Sequence, residues 1–251
     1  MKHLKKIIFT AVLAAALTTS AFAASGFEFI LNVPLGMGFN LAGRYTEERK
    51  ITDKTITTSL TSDSAGIGFD TGVSAQLGYM WHITDNFGMS LLGEIGYSFD
   101  TFNAHYKLKR VDVDIEGINN SPIETEGDFG KSSVYAHSFK IGILPKFNIK
   151  AFSIGIGLGA LVPVNAYINF GGGEGASAVF NPPAGFYAKL TFDYSIFFTE
   201  KTALNIGLYT GIDLIGNLIL EDNGSSKSYM TLGSADVGVQ LGFRFGPKAF
   251  N

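Results

Sequence analysis

Apolar and polar residues alternate along most of the chain. From Phe27 to Leu41, every odd position is apolar, and most even positions between them are small or polar. Because successive side chains of a β-strand point to opposite faces, this stretch predicts a strand with one apolar face. Seven further stretches alternate in the same way: 65–83, 87–102, 133–149, 152–165, 185–198, 203–215 and 233–245. The pattern predicts eight strands and an all-β fold.

The lengths of the predicted strands and of their connections indicate a membrane. The strands span about 13 to 19 residues, whereas strands of soluble sheets average about five or six. Tilted strands that cross a bilayer need about 9–11 residues in the hydrocarbon. Tight turns alternate with four long connections, which are 45–64, 103–132, 166–184 and 216–232. Short turns on one side and long loops on the other predict a transmembrane β-barrel with periplasmic turns and extracellular loops.

Aromatic residues of the apolar face gather at both ends of the predicted strands. Beside the short turns lie Phe27, Phe29, Tyr79, Trp81, Phe87, Phe147, Phe152, Tyr194, Phe198, Phe243 and Phe245. Toward the long loops lie Phe39, Phe69, Tyr97, Phe99, Tyr135, Phe139 and Phe186. Two aromatic girdles around an aliphatic band are expected where a barrel meets two headgroup layers. The apolar face is therefore predicted to contact lipid.

In strand number, alternation and plan of connections, residues 26–245 resemble the small eight-stranded outer-membrane proteins. This class includes the OmpA barrel, OmpX, OmpW and the opacity-type adhesins. The resemblance implies an antiparallel up-and-down barrel in the bacterial outer membrane. It also implies outer-membrane lipids and the barrel-assembly machinery as partners.

The start of the chain predicts export. A lysine-rich beginning precedes an apolar run of about a dozen residues and an A-x-A pattern that ends at Ala23. This arrangement predicts a secretory signal peptide over 1–23 and a single barrel domain over 24–251. The run is too short for a membrane-spanning helix.

Charge and composition exclude several classes of function. The chain has 22 acidic against 19 basic residues, and the leader holds three of the basic ones. An acidic balance argues against a nucleic-acid partner. Because there is no cysteine, the protein has no disulfide, thiol nucleophile or cysteine-bound metal.

Charged residues on the polar faces are predicted to lie in the lumen, where buried charges need partners. The predicted lumen network comprises Glu28, Arg44, Asp70, Glu94, Lys140, Lys189, Asp213 and Arg244. Similar heights on the strands predict four pairs: Glu28 with Arg244, Arg44 with Asp70, Glu94 with Lys140, and Lys189 with Asp213. We interpret the network as a polar plug. The alternative is a narrow or gated pore.

Candidate chemistry is sparse. The mature chain has three histidines, His82, His105 and His137, and none has a nucleophile and an orienting group beside it in the pattern. We therefore predict no catalytic, cofactor-binding or metal site. The stretch "DVDIEG" at 112–117 resembles the start of a calcium loop, but Ile123 stands where the twelfth-position Glu is expected. We expect a hairpin that extends the third or fourth strand.

These expectations lead to three hypotheses about function. The first is a non-enzymatic protein that acts structurally or in adhesion, with a host or environmental ligand bound by loops 45–64 and 103–132, since binding usually resides in exposed loops. The second is a narrow pore or transporter for ions or small apolar molecules. The third is a secreted lipocalin-like carrier, whose apolar face would point inward.

Overall fold

The structure is a computed structural model that describes residues 25–41, 44–51, 54–61, 64–108, 112–115, 127–171, 177–180, 182–222 and 224–249. The predicted signal peptide lies outside these residues. No helix in the described ranges is long and apolar enough to span a membrane.

All helices and strands assigned to the described residues are β-strands, joined by turns and irregular segments. In chain order they are β1 (Gly26–Asn40), β2 (Arg44–Ile51), β3 (Lys54–Thr61), β4 (Ser64–Ala65), β5 (Ile67–Thr84), β6 (Phe87–Leu108), β7 (Asp112–Ile115), β8 (Gly127–Ile149), β9 (Phe152–Gly171), β10 (Ser177–Phe180), β11 (Gly185–Phe197), β12 (Thr202–Asp222) and β13 (Ser226–Phe245).

Eight of the described strands close into a barrel. Each pairs antiparallel with the next in the order β1, β5, β6, β8, β9, β11, β12 and β13. The pairing of β1 with β13, from Phe29 opposite Phe245 to Asn40 opposite Ser234, completes the ring. Closure leaves no open sheet edge around the ring, which is what a sheet requires in lipid. The predicted eight-stranded up-and-down barrel is confirmed.

The apolar face of the barrel points outward. Midway along their strands, Leu31 is 41% exposed, Ile141 58% and Val239 51%. The alternate positions face the lumen, where Glu28 and Asn32 are fully buried. The lipocalin-like hypothesis is therefore wrong, because it requires the opposite orientation.

The short turns close three hairpins on the periplasmic side. Asp85 and Asn86 join β5 to β6, and Lys150 and Ala151 join β8 to β9. Lys150 adopts a left-handed conformation with φ 54°, which a two-residue hairpin turn favours. Between β11 and β12, the Thr199 and Thr202 hydroxyl groups are hydrogen-bonded to each other.

The long connections contain far more β-structure than predicted. β6 and β8 stay paired as far as Leu108 and Gly127, and β12 and β13 as far as Asp222 and Lys227. Much of the predicted loop 45–64 is the hairpin of β2 and β3. Where two neighbouring strands continue side by side beyond the membrane, they stay paired because this satisfies the hydrogen-bonding groups of their backbones.

Three prolines lie within the predicted strands, and because proline removes a ladder donor, the sequence predicts a local bulge near each. Pro163 does lie beside a register shift between β8 and β9. The predicted bulges at Pro34 and Pro145 are wrong, since the ladders beside them are interrupted without a register shift. A proline removes one donor but does not require an extra residue. At Pro34, the Thr71 hydroxyl donates to the free carbonyl at 3.2 Å.

Candidate functional site

The aromatic residues predicted for the periplasmic girdle lie on the outside of the barrel at its turn end. Trp81 is 48% exposed, Tyr194 54% and Phe243 44%. The other residues predicted for this girdle are half-buried or exposed on the same surface: Phe27, Phe29, Tyr79, Phe87, Phe147, Phe152, Phe198 and Phe245. Some of these side chains contact each other; the ring centroids of Tyr79 and Trp81, for example, are 5.2 Å apart. Together the aromatic residues form a belt suited to the headgroup layer.

A second aromatic group surrounds His137 near the extracellular end. The Tyr97 hydroxyl lies 2.5 Å from His137 Nδ1, and the Phe99 ring centroid lies 4.9 Å from that of His137. Tyr167 meets the same imidazole edge-on. His137 is thus held within the outer aromatic girdle, on the opposite face of β8 from the lumen.

A polar network closes the periplasmic end of the lumen. Arg244 Nε lies 2.9 Å from Glu28 Oε1, which is the predicted pair across the seam of β1 and β13. Ser90 donates to Glu28, and Arg244 donates to Ser195 at 3.1 Å. Through further contacts the network includes one residue from each barrel strand, adding Met80, Asn148, Ser153 and Asn205. Such a network ties the whole ring together at one height.

Two further layers reinforce this closure. Ile30, Leu92 and Leu144 form a fully buried apolar cluster in the lumen. Beyond the last strand, Gly246 donates its N–H to Lys201 O at 2.8 Å, and Ala249 is fully buried. The chain thus packs against its own periplasmic end, and the lower half of the lumen is filled.

Three ion pairs between described residues cross the middle and upper lumen. Lys146 and Asp193 are 2.6 Å apart, each with a side chain 1% exposed. Lys189 bonds both carboxylate oxygens of Glu94. Lys140 lies 2.7 Å from Asp213.

Two predicted pairings in this region are therefore wrong. Glu94 pairs with Lys189 instead of Lys140, and Lys140 pairs with Asp213. The prediction placed partners on adjacent strands, but an inward side chain of a narrow barrel reaches across to a distant strand. Lys189 on β11 meets Glu94 on β6, and Lys140 on β8 meets Asp213 on β12.

The predicted pair of Arg44 and Asp70 stays a prediction, but the strand that holds Arg44 differs from the one expected. Arg44 begins β2, whose backbone pairs with β13 and β3, so it does not continue the inner face of β1. Its side chain lies outside the described part of the structure. Asp70 lies on β5, in the outer half of the lumen.

The outer half of the lumen holds a cavity of about 70 Å³. Its polar lining includes Asp70, Asp100, Asp213, Asp236, Lys140 and Tyr209. Tyr187 also lines the cavity and donates to Glu94 at 3.3 Å. Tyr187 and Tyr209 do not belong to the predicted lumen network, although the alternation of their strands places both side chains inside the barrel.

Beyond the barrel, the extracellular segments join in one sheet. The outer part of β13 pairs with β2, from Ser226 opposite Arg49 to Thr231 opposite Arg44. β2 pairs with β3, and β3 with β7. The stretch at 112–115 is thus a strand on the β2–β3 hairpin, which corrects the expectation that it would extend β6 or β8 as a hairpin.

Comparison with known proteins finds solved structures of outer-membrane proteins that have low sequence identity to this chain. No protein-family model matches the sequence, and no curated protein matches it. OprG of Pseudomonas aeruginosa is 12% identical, with 89% of this chain and 98% of that chain covered and a TM-score of 0.38. Neisserial surface protein A is 12% identical, with 88% and 97% covered and a TM-score of 0.38. The Escherichia coli outer membrane protease OmpT is 9% identical, with 86% and 96% covered and a TM-score of 0.38.

The structure itself has the features of a membrane-spanning β-barrel. A closed ring of antiparallel strands satisfies its backbone internally, its outer surface is apolar, and aromatic rings gather at both ends of that surface. Short turns lie at one end and long extended hairpins at the other. The protein is a small eight-stranded β-barrel of the bacterial outer membrane.

Proposed function

We propose that this barrel is a non-enzymatic surface protein that binds a host or environmental ligand through its extracellular sheet. The observation that supports this most strongly is the pairing of β13, β2, β3 and β7 outside the barrel. These strands come from three of the four long connections. Because pairing orders them before any ligand arrives, binding would cost less conformational entropy than it would with loose loops.

The location of this sheet also suits contact with large partners. It continues the barrel wall from β12 through β13, so a rigid scaffold holds it at a fixed height. Its described side chains include Glu48, which accepts a hydrogen bond from Tyr229 at 3.2 Å, and Arg49, whose side chain is 63% exposed. Polar and charged groups of this kind are what a solvated binding face presents.

Removing the β2–β3 hairpin tests the proposal. Because Asn40 N and Gly66 O are 3.4 Å apart, residues 42–63 can be replaced by a short turn without opening the barrel. We expect cells that display the shortened protein to bind epithelial monolayers and basement-membrane matrix at least about tenfold less than cells with the intact protein, since the central strands of the surface are gone.

A second deletion serves as the matched control. Asn169 and Ser177 are paired across the β9–β10 hairpin, so deletion of 172–176 leaves a two-residue turn between them. This variant shortens the remaining long connection and leaves β2, β3 and β7 in place. It should bind like the intact protein. Equal binding by the variant that lacks 42–63 would contradict the proposal, provided that its unheated gel mobility shows a folded barrel.

The filled periplasmic half argues against the pore hypothesis and supplies another prediction. Arg244 and Glu28 are at most 1% exposed, and the apolar cluster above them is fully buried. We therefore expect no stepwise conductance when the purified protein is inserted into planar bilayers, whereas an open porin should conduct under the same conditions. Reproducible openings would favour the pore hypothesis instead.

One observation favours a transport role of a different kind, which we keep as the second candidate. The ladder between β1 and β5 is interrupted at Val33 and Pro34, and the outer cavity is lined there by Pro34, Thr71 and Val73. A small apolar molecule could pass sideways at this gap. Since the chain has no cysteine, a disulfide between cysteines at Val33 and Val73 would close the gap specifically, and oxidation should then lower uptake.

A further inference from the structure

Among the residues that the structure describes, the lumen charges do not balance in the outer half of the barrel. Below and beside the outer cavity, four carboxylates are each paired with one cation. The pairs are Glu28 with Arg244, Asp193 with Lys146, Glu94 with Lys189, and Asp213 with Lys140. Asp70, Asp100 and Asp236 line the same cavity without an ion-pair partner among the described residues. Ser98 donates to Asp100 at 2.8 Å, but a neutral hydroxyl group brings no positive charge.

Two of these carboxylates also have buried oxygens with no hydrogen-bond partner. They are Asp70 Oδ2 and Asp236 Oδ1, and each residue is 6% exposed. Both oxygens lie against Gly38, where an added β-carbon would be 2.9 Å from the first and 3.0 Å from the second. Absence of a side chain at Gly38 thus allows two carboxylates to approach each other at the cavity wall. Like charges this close repel unless a cation or proton lies between them.

The surroundings favour an organic cation over a metal ion. Among the described residues, no group of three or more histidine, aspartate or glutamate side chains is placed to hold a metal ion. The cavity wall instead provides the rings of Tyr187 and Tyr209. Lys140 illustrates the chemistry, since its ammonium lies 2.7 Å from Asp213 and 5.6 Å from the centre of the Tyr187 ring. Carboxylate and aromatic contacts together are well suited to an alkylammonium group.

We propose that the outer cavity is a binding site for a short aliphatic diamine or polyamine. One ammonium group is held between Asp70 and Asp236, and a second neutralises Asp100. The three carboxylates, for which no ion-pair partner is found among the described residues, match a ligand with two or three positive charges. The ligand enters from the extracellular side, because the periplasmic half of the lumen is filled. This site is independent of the sheet to which we assign adhesion.

Calorimetric titration of the refolded barrel in zwitterionic detergent at low salt and neutral pH tests the proposal. We expect butane-1,4-diamine to bind saturably and butane-1,4-diol, which has the same chain without charge, to give no binding heat. Raising the salt concentration should weaken diamine binding because the attraction is partly screened. Absence of diamine binding would overturn the proposal and leave a shared proton as the counter-charge of Asp70 and Asp236. Tighter binding of magnesium than of the diamine would also overturn the assignment.

Substitutions locate the site. Asp70→Asn and Asp236→Asn each remove one charge and keep the side-chain shape, so each should weaken diamine binding by about tenfold or more. The control is Asp222→Asn, which changes an exposed aspartate of the β12–β13 hairpin outside the lumen. It should leave the affinity unchanged. If Asp70→Asn and Asp236→Asn bind the diamine like the unsubstituted protein, the ligand is held elsewhere.

Discussion

Lys146→Met is expected to lower the free energy of unfolding by about 3–5 kcal/mol, because it leaves a buried carboxylate without its cation. Lys146 and Asp193 are each 1% exposed and 2.6 Å apart. Gln240 donates to the other oxygen of Asp193, but a neutral amide cannot compensate for the lost charge. Urea unfolding in lipid vesicles measures the effect, and Trp81, the one tryptophan of the chain, reports it by fluorescence.

Two controls distinguish the lost charge from a general packing defect. Adding Asp193→Asn to Lys146→Met removes the stranded charge and should restore much of the stability. Glu200→Gln breaks the exposed pair of Glu200 with Lys248, whose atoms are 3.0 Å apart, and should change little. If the double variant is as unstable as Lys146→Met, the cost comes from lost packing and the ion-pair explanation is wrong.

Val239→Arg is expected to cost about 2–4 kcal/mol, because it places a charge in the middle of the lipid-facing band. Val239 is 51% exposed and lies between Leu35 and Leu208 on the neighbouring strands. The guanidinium group would have to reach the headgroups over much of its length or remain in hydrocarbon. The same urea titration measures the loss.

Position along the strand supplies the control for this prediction. Ile83 is 53% exposed but lies next to the periplasmic turn, where Ile83→Arg should cost about 0–1 kcal/mol. In detergent micelles, which adapt their shape to a protein, the difference between the two variants should shrink. Equal costs at Val239 and Ile83 in vesicles would show that the aliphatic band does not lie at the bilayer centre.

The barrel was predictable because its pattern is local. In lipid, a strand needs an apolar side chain at every second position, so the alternation around Leu31 or Val239 records the orientation of each residue directly. The parity of each strand also placed Asp70 and Asp236 inside. Length and turn spacing then left antiparallel neighbours as the simple arrangement of eight strands.

The partners inside the lumen were not predictable in the same way. Choosing pairs from adjacent strands succeeded for Glu28 and Arg244, which face each other at the seam. It failed for Glu94 and Lys140, because an inward side chain of a narrow barrel meets residues from far across the ring. Height along the axis can be read from residue counts, whereas direction across the lumen depends on tilt, stagger and the size of every other inward side chain.

The extracellular sheet was missed for a related reason. Residues 54–61 are rich in threonine, which favours strands, but their polarity suggested a solvated loop. Their partners are β2 beside them and β7 from the following connection. Nothing in a polar segment records a partner so distant along the chain.

Strand number, the outward orientation of the apolar face and the division into short and long connections follow from the amino-acid order, because the membrane imposes a repeating local requirement on each strand. The ion pairs that cross the lumen, the two side-by-side carboxylates at Gly38 and the sheet of β13, β2, β3 and β7 arise from closure of the ring. Closure brings together residues that are far apart in the sequence, and no alternation of apolar and polar residues indicates which of them will meet. Their contacts depend on how the side chains pack in three dimensions.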